Sequence, residues 1–200
     1  QHTGAGDILA GGGSDQITFT DAFTGTGDGD VETYQLANGG GNDFTLGAVG
    51  QDVTGGTGDD TVNLGGFAPT GTLDGGAGGT DVLALDDGDD ISGATVSNFE
   101  TVEIAGGATV TMTEAQHDGF TTFTDNANQT IVLATSDGDN ALTGNANIES
   151  YELNDAFTFT LGAADQNVTG DGANDQTIVS TVGGAITGTL DGGTGGADVL

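Results

Sequence analysis

Short runs in which apolar and polar residues alternate recur along the chain, and they predict half-buried β-strands. Residues 99–104 read Phe-Glu-Thr-Val-Glu-Ile, and residues 31–36 and 148–153 follow the same order of apolar and polar side chains. A period of two places successive side chains on opposite faces of a strand. We therefore expect the apolar side chains of these runs to face a core and their glutamates to face solvent.

Two of these runs belong to an internal repeat of about 117 residues. Four pairs of segments match: 31–36 with 148–153, 44–48 with 159–163, 51–55 with 166–170, and 71–76 with 188–193. The chain therefore reads as one continuous repeat array, with approximate units at 1–25 (partial), 26–142 and 143–200 (partial). Since the sequence begins and ends within this pattern, we expect it to be a piece of a longer protein.

Glycine-rich turns separate the predicted strands. They begin near five glycines spaced 14 to 20 residues apart: Gly11, Gly25, Gly39, Gly55 and Gly75. A rung of that length suits a parallel β-solenoid, in which successive rungs stack into one core. We therefore predict an all-β fold, a parallel β-solenoid of the β-roll or β-helix type. A β-sandwich is the weaker alternative, because sandwich turns are diverse and these turns share one glycine–aspartate chemistry.

One segment has the pattern of a short helix. Residues 113–117 read Thr-Glu-Ala-Gln-His, with Thr113 as a predicted N-cap and Gly119 at the predicted end. His117 lies in this segment. We expect it to have a structural role, because a single histidine in a short turn rarely forms a metal site.

The charge and composition of the chain exclude several classes of partner and of binding site. It has 31 acidic residues and no Lys or Arg, a formal net charge of -31 at pH 7, and no Cys. Binding to nucleic acids or anionic membranes depends on Lys and Arg, so both partners are excluded. Disulfides and cysteine zinc sites are excluded too, and no apolar run approaches the roughly 20 residues of a membrane-spanning helix. A high net charge is also typical of disordered chains. Here, however, 34% of the residues are apolar and they lie in short alternating runs, which favours a folded chain.

One motif predicts a bound cation. Residues 55–63 fit the nonapeptide G-G-x-G-x-D-x-U-x at every position, where U is a large apolar residue. Imperfect copies lie at 10–18, 38–43, 75–83, 135–142 and 192–200. A glycine run can curl the backbone so that its carbonyl groups point inward, and the aspartate adds a carboxylate. An irregular ring of oxygen atoms suits Ca²⁺, whereas Mg²⁺ needs a stricter octahedron and transition metals prefer His or Cys.

At these residues the chain resembles the RTX, or haemolysin-type calcium-binding, repeat family. The pattern at 73–83, followed by that at 96–104, is similar to the large secreted surface and S-layer proteins of the family. The resemblance implies a calcium-loaded β-roll that is exported by bacterial type I secretion and folds outside the cell. Family β-rolls carry nonapeptides in tandem, whereas these copies lie about one rung apart, so we expect calcium along one edge of the solenoid.

The resemblance also implies a set of calcium ligands at the aspartates of the Gly–Asp turns. The candidates are Asp15, Asp28, Asp30, Asp43, Asp59, Asp60, Asp74, Asp81, Asp191 and Asp198. For each of them the alternative is an ordinary solvated turn residue, a position that aspartate favours in any case.

The predicted function is structural rather than enzymatic, because no Ser-His-Asp set and no distinct pair of catalytic carboxylates stands out. We expect an extracellular, calcium-stabilised segment of a surface layer, lattice or filament that associates with itself. One alternative is the stalk or binding segment of a large RTX adhesin with a glycan or cell-surface ligand. The other is the calcium-dependent secretion domain of an exported enzyme.

Overall fold

The computed structural model describes residues 13–37, 39–137 and 141–200 and confirms an all-β fold of parallel strands. Three of the nonapeptide copies, at 10–18, 38–43 and 135–142, extend in part outside these ranges. The chain divides into two compact units, one of residues 1–85 and 89–103 and the other of residues 86–88 and 104–200. Each unit is described by itself below.

The strands are short, with two to four residues each. Those up to the end of the first unit are β1 (Gln16–Phe19), β2 (Thr24–Thr26), β3 (Thr33–Leu36), β4 (Asp43–Thr45), β5 (Asp52–Thr54), β6 (Thr61–Asn63), β7 (Thr72–Asp74), β8 (Val82–Leu85), β9 (Thr95–Ser97) and β10 (Thr101–Ile104). Those that follow are β11 (Thr109–Met112), β12 (Thr122–Phe123), β13 (Thr130–Leu133), β14 (Ala141–Thr143), β15 (Ser150–Leu153), β16 (Thr158–Thr160), β17 (Asn167–Gly170), β18 (Thr177–Val179) and β19 (Leu190–Asp191).

The first unit is a parallel β-solenoid made of two sheets. One sheet has the order β1-β3-β5-β7-β9, and in the other β2, β4, β6, β8 and β10 follow one another. The chain thus passes from one sheet to the other and back, and we call one such circuit a rung. Gln16 pairs with Thr33, 17 positions later, and Thr72 pairs with Thr95, 23 positions later. The two shortest glycine spacings, those on either side of Gly25, are not rungs, because Gly25, which the sequence assigns to a turn, lies within β2.

The second unit repeats this arrangement. One sheet has the order β11-β13-β15-β17-β19 and the other the order β14-β16-β18, with parallel pairing throughout. Ser150 pairs with Asn167, 17 positions later, and Val168 pairs with Leu190, 22 positions later. The rung length is therefore the same as in the first unit.

Alternation along the strands builds the core as predicted. Phe99, Val102 and Ile104 are buried, whereas Glu100 and Glu103 are exposed. Because the strands pair in register, equivalent apolar side chains stack on one another from rung to rung. The two copies of the long repeat also pack alike between their two sheets. The ring centroids of Tyr34 and Phe44 lie 4.7 Å apart, and so do those of Tyr151 and Phe159.

Two buried glutamines, Gln51 and Gln166, hold the same corner of the rung in the two copies, and we call them the corner glutamines. Each is 1% exposed. The carboxamide of Gln51 accepts hydrogen bonds from Gly47 N (2.7 Å) and Ala48 N (3.2 Å) and donates to Asp28 O (2.7 Å) and Val31 O (2.9 Å). That of Gln166 accepts from Gly162 N (2.8 Å) and Ala163 N (3.2 Å) and donates to Asn145 O (2.6 Å) and Ile148 O (2.9 Å). The long repeat thus repeats one corner bond for bond.

The predicted short helix is confirmed as α1 (Glu114–Gly119). Thr113 is its N-cap, and the side chains of Thr113 and Gln116 form a reciprocal capping box with the backbone. No helix within the described ranges is long and apolar enough to cross a lipid bilayer.

Candidate metal-binding turns

Three of the Gly–Asp turns in the first unit stack on one edge of the solenoid, because each precedes a strand of the same sheet. Residues 39–42 precede β4, residues 55–60 precede β6 and residues 75–81 precede β8. The turn at Asp15 precedes β1 and therefore leads into the other sheet. The sequence placed all predicted ligands in such turns, and the structure brings three of these turns into neighbouring rungs.

Glycine is required in these turns because their backbones touch. A Cβ atom on Gly58 would lie 2.6 Å from the carbonyl carbon of Gly40 and 2.7 Å from its oxygen. A Cβ atom on Gly79 would lie 2.4 Å from the oxygen of Gly58, and Gly79 has a φ of +91°. Both contacts are with backbone atoms of the rung before, so the neighbour has little freedom to move aside.

We expect Gly58→Ala to lower the free energy of unfolding by about 3 kcal/mol, because the added methyl group forces two stacked backbones apart. Gly50→Ala is the matched control, since nothing lies within 4 Å of a Cβ atom there and its φ is unremarkable. Urea denaturation followed by circular dichroism measures both variants. Equal effects from the two substitutions would show that the turns are not closely packed.

The last residue of each stacked turn accepts a hydrogen bond from the rung before it. Four successive side chains do so: Asn42 from Phe23 N (2.9 Å), Asp60 from Asn42 N (2.9 Å), Asp81 from Asp60 N (2.8 Å) and Glu100 from Asp81 N (2.9 Å). We call this set the amide ladder. It supplies acceptors for backbone N–H groups that lie just before the strands begin, where the strand pairing does not reach them.

The second unit has the same ladder with a neutral member. Gln176 precedes β18 as Asp60 precedes β6, and its Oε1 accepts from Phe157 N at 3.2 Å. Asp198 accepts from Gln176 N at 3.0 Å. The position therefore accepts carboxylate and carboxamide alike, because what the backbone requires there is a hydrogen-bond acceptor.

Asp60, the aspartate of the one perfect nonapeptide, is fully buried and uses both carboxylate oxygens. Its Oδ1 accepts from Asn42 N, and its Oδ2 accepts from Gly56 N at 2.7 Å. Asp60 thus closes its own turn and joins it to the rung before.

Most of the other predicted ligands also accept hydrogen bonds, from their own turn or from the next rung. The partners are Asp30 N for Asp28 (3.1 Å), Asn63 Nδ2 for Asp43 (2.8 Å), Thr80 N for Asp59 (2.8 Å), Gly76 N and Asn98 Nδ2 for Asp74 (2.9 and 2.8 Å), and Gly193 N for Asp191 (2.9 Å). Asp30 is exposed. Among these residues, Asp43, Asp59 and Asp191 are exposed as well, so their remaining lone pairs face solvent.

Asp15 has the environment that fits a cation best. Its Oδ2 is buried and has no hydrogen-bond partner among the residues that the structure describes. Its N–H donates to Oε2 of Glu32 at 2.7 Å, which places a second carboxylate beside it. A buried carboxylate oxygen without a partner is costly, and a hard cation such as Ca²⁺ would satisfy it.

The donor chemistry of the turns therefore suits calcium, but the described side chains are not gathered into a closed site. Within residues 13–37, 39–137 and 141–200, no three His, Cys, Asp or Glu side chains form a group that could hold a metal ion. Calcium ligation by the ten aspartates stays a prediction. The structure adds a second role for eight of them, as hydrogen-bond acceptors within and between rungs.

Asp81 is a predicted ligand with a strongly perturbed pKa. Burial raises the pKa of its carboxyl group to about 6, against the hydrogen bond from Asp60 N, which lowers it. The neighbouring carboxylates of Asp60, Glu100 and Asp59 raise it as well. In a chain without Lys or Arg, no basic side chain offsets this repulsion.

We expect Asp81→Asn to remove part of the pH dependence of folding. The pKa of Asp81 is higher in the folded state than in the unfolded chain, so its contribution to stability is complete below about pH 4 and is lost as the pH rises through 6. Asparagine keeps an acceptor for Asp60 N, as Asn42 does for Phe23 N. The variant should be more stable than the wild type by about 2 kcal/mol near pH 7.5.

Urea denaturation of both proteins in chelator, from about pH 4 to about pH 7.5, measures this difference. A gap between the two proteins that does not change with pH would contradict the perturbed carboxyl group.

The sequence pattern did not identify several residues of the amide ladder. Asn42, Glu100 and Gln176 hold the same position as Asp60 and Asp81, but the motif singles out aspartate alone. The signal that could have found them is position, since each is a polar residue at or near the start of a strand. His117 is buried against Tyr151, in keeping with the structural role predicted for it.

Comparison of the chain with protein-family models, with curated proteins and with solved structures finds no match.

Proposed function

We propose that the chain is a structural segment of an extracellular surface layer, lattice or filament, built as a calcium-stabilised β-solenoid. The observation that carries the proposal is the repeated corner of Gln51 and Gln166, which make the same four hydrogen bonds in the two copies. The residues that recur at an interval of about 115 positions are those whose hydrogen bonds form the corners of the rungs. Repetition of rung-building residues suits a protein whose task is extension.

Electrostatics supports calcium as the stabilising cation. A net charge of -31 on a compact body is self-repulsive, and each bound Ca²⁺ removes two charges. An ion that binds only the folded state adds roughly 2.7 kcal/mol per site at a hundredfold excess over its Kd. The Asp15 turn and the exposed carboxylates of Asp43, Asp59 and Asp198 are the residues that would hold it. Calcium modules outside cells often bind at about 10⁻⁴–10⁻³ M, which fits an extracellular location.

A face without acidic residues supports side-by-side association. The outward side chains of the sheet formed by β14, β16 and β18 are all uncharged: Ala141, Thr143, Thr158, Thr160, Thr177 and Val179. Elsewhere the 31 acidic residues repel a second copy, whereas this face does not. We call it the uncharged face.

Sedimentation velocity and negative-stain electron microscopy test the proposal. We expect ordered, concentration-dependent assemblies in about 5 mM CaCl₂ and none in MgCl₂ at the same ionic strength. Thr158→Asp adds a charge to the uncharged face and should weaken assembly without unfolding the chain. Ser180→Asp, at an exposed loop position of the same unit, is the control. A chain that stays monomeric at every calcium concentration would contradict the proposal.

A further inference from the structure

A cleft of about 430 Å³ lies beside α1 in the second unit. One wall is aromatic and consists of His117, Phe120 and Phe123. The cleft is also lined by Thr143 at the end of β14 and by Asn145 in the turn that follows. The volume is within the range of small-molecule sites, which combine apolar walls with a few polar groups.

The imidazole of His117 is held in one orientation at the base of this cleft. The backbone N–H of Asn145 donates to the hydroxyl oxygen of Tyr151 at 2.8 Å, and that hydroxyl lies 3.1 Å from Nε2 of His117. With the ring proton on Nδ1, where it faces the carboxylate of Asp118, Nε2 accepts a hydrogen bond from the Tyr151 O–H. Nδ1 lies 3.2 Å from Oδ1 of Asp118. Burial lowers the pKa of His117, against a smaller opposing effect of Asp118, so the ring is neutral at pH 7.

This arrangement fixes a carboxylate at the rim of the cleft. Asp118 is 56% exposed and has one oxygen turned to His117. The carboxylate can therefore accept hydrogen bonds from a ligand through its second oxygen. Thr143 and Asn145, which also line the cleft, carry a hydroxyl and a carboxamide as further polar groups.

Among the described residues of the first copy, the tyrosine hydroxyl at this turn has a different partner. There the hydroxyl of Tyr34, the counterpart of Tyr151, donates to the backbone oxygen of Asp28 at 3.1 Å. In the second copy Asn145 replaces Asp28, and the tyrosine hydroxyl turns to His117 instead.

The charge of the chain limits what the cleft can bind. Without Lys or Arg, and with a net charge of -31, the chain repels phosphates, sulfates and carboxylates. A pair of hydroxyl groups can donate to one carboxylate, and the apolar C–H face of a sugar ring can pack on the aromatic wall. We propose that this cleft binds a neutral hexose, as a free sugar or as one residue of a glycan. The site goes beyond the structural role proposed above and does not depend on it.

The two histidines make the test direct. His2 and His117 are the only ones in the chain, so proton NMR of the imidazole C–H groups reports the cleft through a single assigned residue. The full chain is titrated with D-glucose, D-galactose, D-mannose and N-acetyl-D-glucosamine. We expect at least one of them to shift the His117 resonances saturably and to leave those of His2 unchanged.

Two variants show whether the binding is in the cleft. Asp118→Ala should raise the Kd of the responding sugar about tenfold or more. Glu152→Ala removes an exposed acidic residue of the same unit on β15 and should leave the Kd unchanged. The proposal would be overturned if none of the four sugars shifts the His117 resonances, or if Asp118→Ala has the same Kd as the wild type. A response to tetramethylammonium chloride but to none of the sugars would mean that the cleft binds a cation, which would also overturn the proposal. Assembly in calcium is measured separately on Asp118→Ala, so failure of this site leaves the structural function intact.

Discussion

Replacing Gln51 with leucine is expected to lower the free energy of unfolding by about 4 kcal/mol. Leucine fills much of the same volume but neither accepts nor donates a hydrogen bond. The carboxamide of Gln51, which is 1% exposed, is the hydrogen-bond partner of two backbone N–H groups and two backbone carbonyl groups. All four groups would lose this partner in the variant. Each buried polar group left without a partner costs about 1–3 kcal/mol, and partial relaxation reduces the sum. Urea denaturation followed by circular dichroism measures the loss.

Gln35→Leu is the control for this prediction, because Gln35 is an exposed residue of β3. Its effect should stay within about 0.5 kcal/mol. Gln166→Leu should reproduce the loss in the second unit, since its four hydrogen bonds are the same. A loss below about 1 kcal/mol at both corners would mean that the corner glutamines do not hold the rungs.

Replacing Asp60 with alanine is expected to lower the free energy of unfolding by about 3 kcal/mol in the presence of a chelator. Asp60 is fully buried, and its carboxylate accepts from Asn42 N and from Gly56 N. Both N–H groups lose this acceptor in the variant. The removal of one buried charge beside Asp81 offsets part of the cost, which keeps the expected loss below that at Gln51.

The chelator separates the two roles of Asp60. If the carboxylate acts through the amide ladder, the loss persists without calcium, and calcium ligation would add to it. A variant as stable as the wild type in chelator, but less stable in calcium, would assign Asp60 to the metal alone. Glu103→Ala serves as the control, since Glu103 is an exposed acidic residue of β10 and is not among the predicted ligands.

The solenoid fold could be predicted because its signal is local. Strands such as 101–104 alternate apolar and polar residues, and a parallel stack in register needs little more than that pattern in every rung. The two shortest glycine spacings underestimated the rung length because Gly25 was assigned to a turn. A glycine in a strand and a glycine in a turn look the same in the sequence, and only the pairing of Gly25 with Phe44 distinguishes them.

The role of the aspartates could be predicted only in part. The nonapeptide identified Asp60 and Asp81 as special residues, and both are buried. Their hydrogen-bond partners lie 18 and 21 residues earlier, on the rung before, where no local pattern points. Gln176 has the same role without the charge, so the property that matters at this position is the ability to accept a hydrogen bond, and a motif defined by aspartate does not express it.

The cleft beside α1 could not be predicted at all. The sequence indicated the helix and its cap at Thr113. It did not indicate that His117 would meet Tyr151, a residue 34 positions later. That contact depends on how the following rungs stack beside the helix, which is a property of the whole unit.

Far-UV circular dichroism of the full chain, first in chelator and then titrated with CaCl₂, tests calcium-linked folding most directly. We predict a cooperative rise in β-structure and in melting temperature between about 0.1 and 1 mM calcium, with no equal response to MgCl₂ at the same ionic strength. A β-rich spectrum in chelator, with a melting temperature that calcium does not change, would contradict it. The Gly–Asp turns would then be held together by their hydrogen bonds alone.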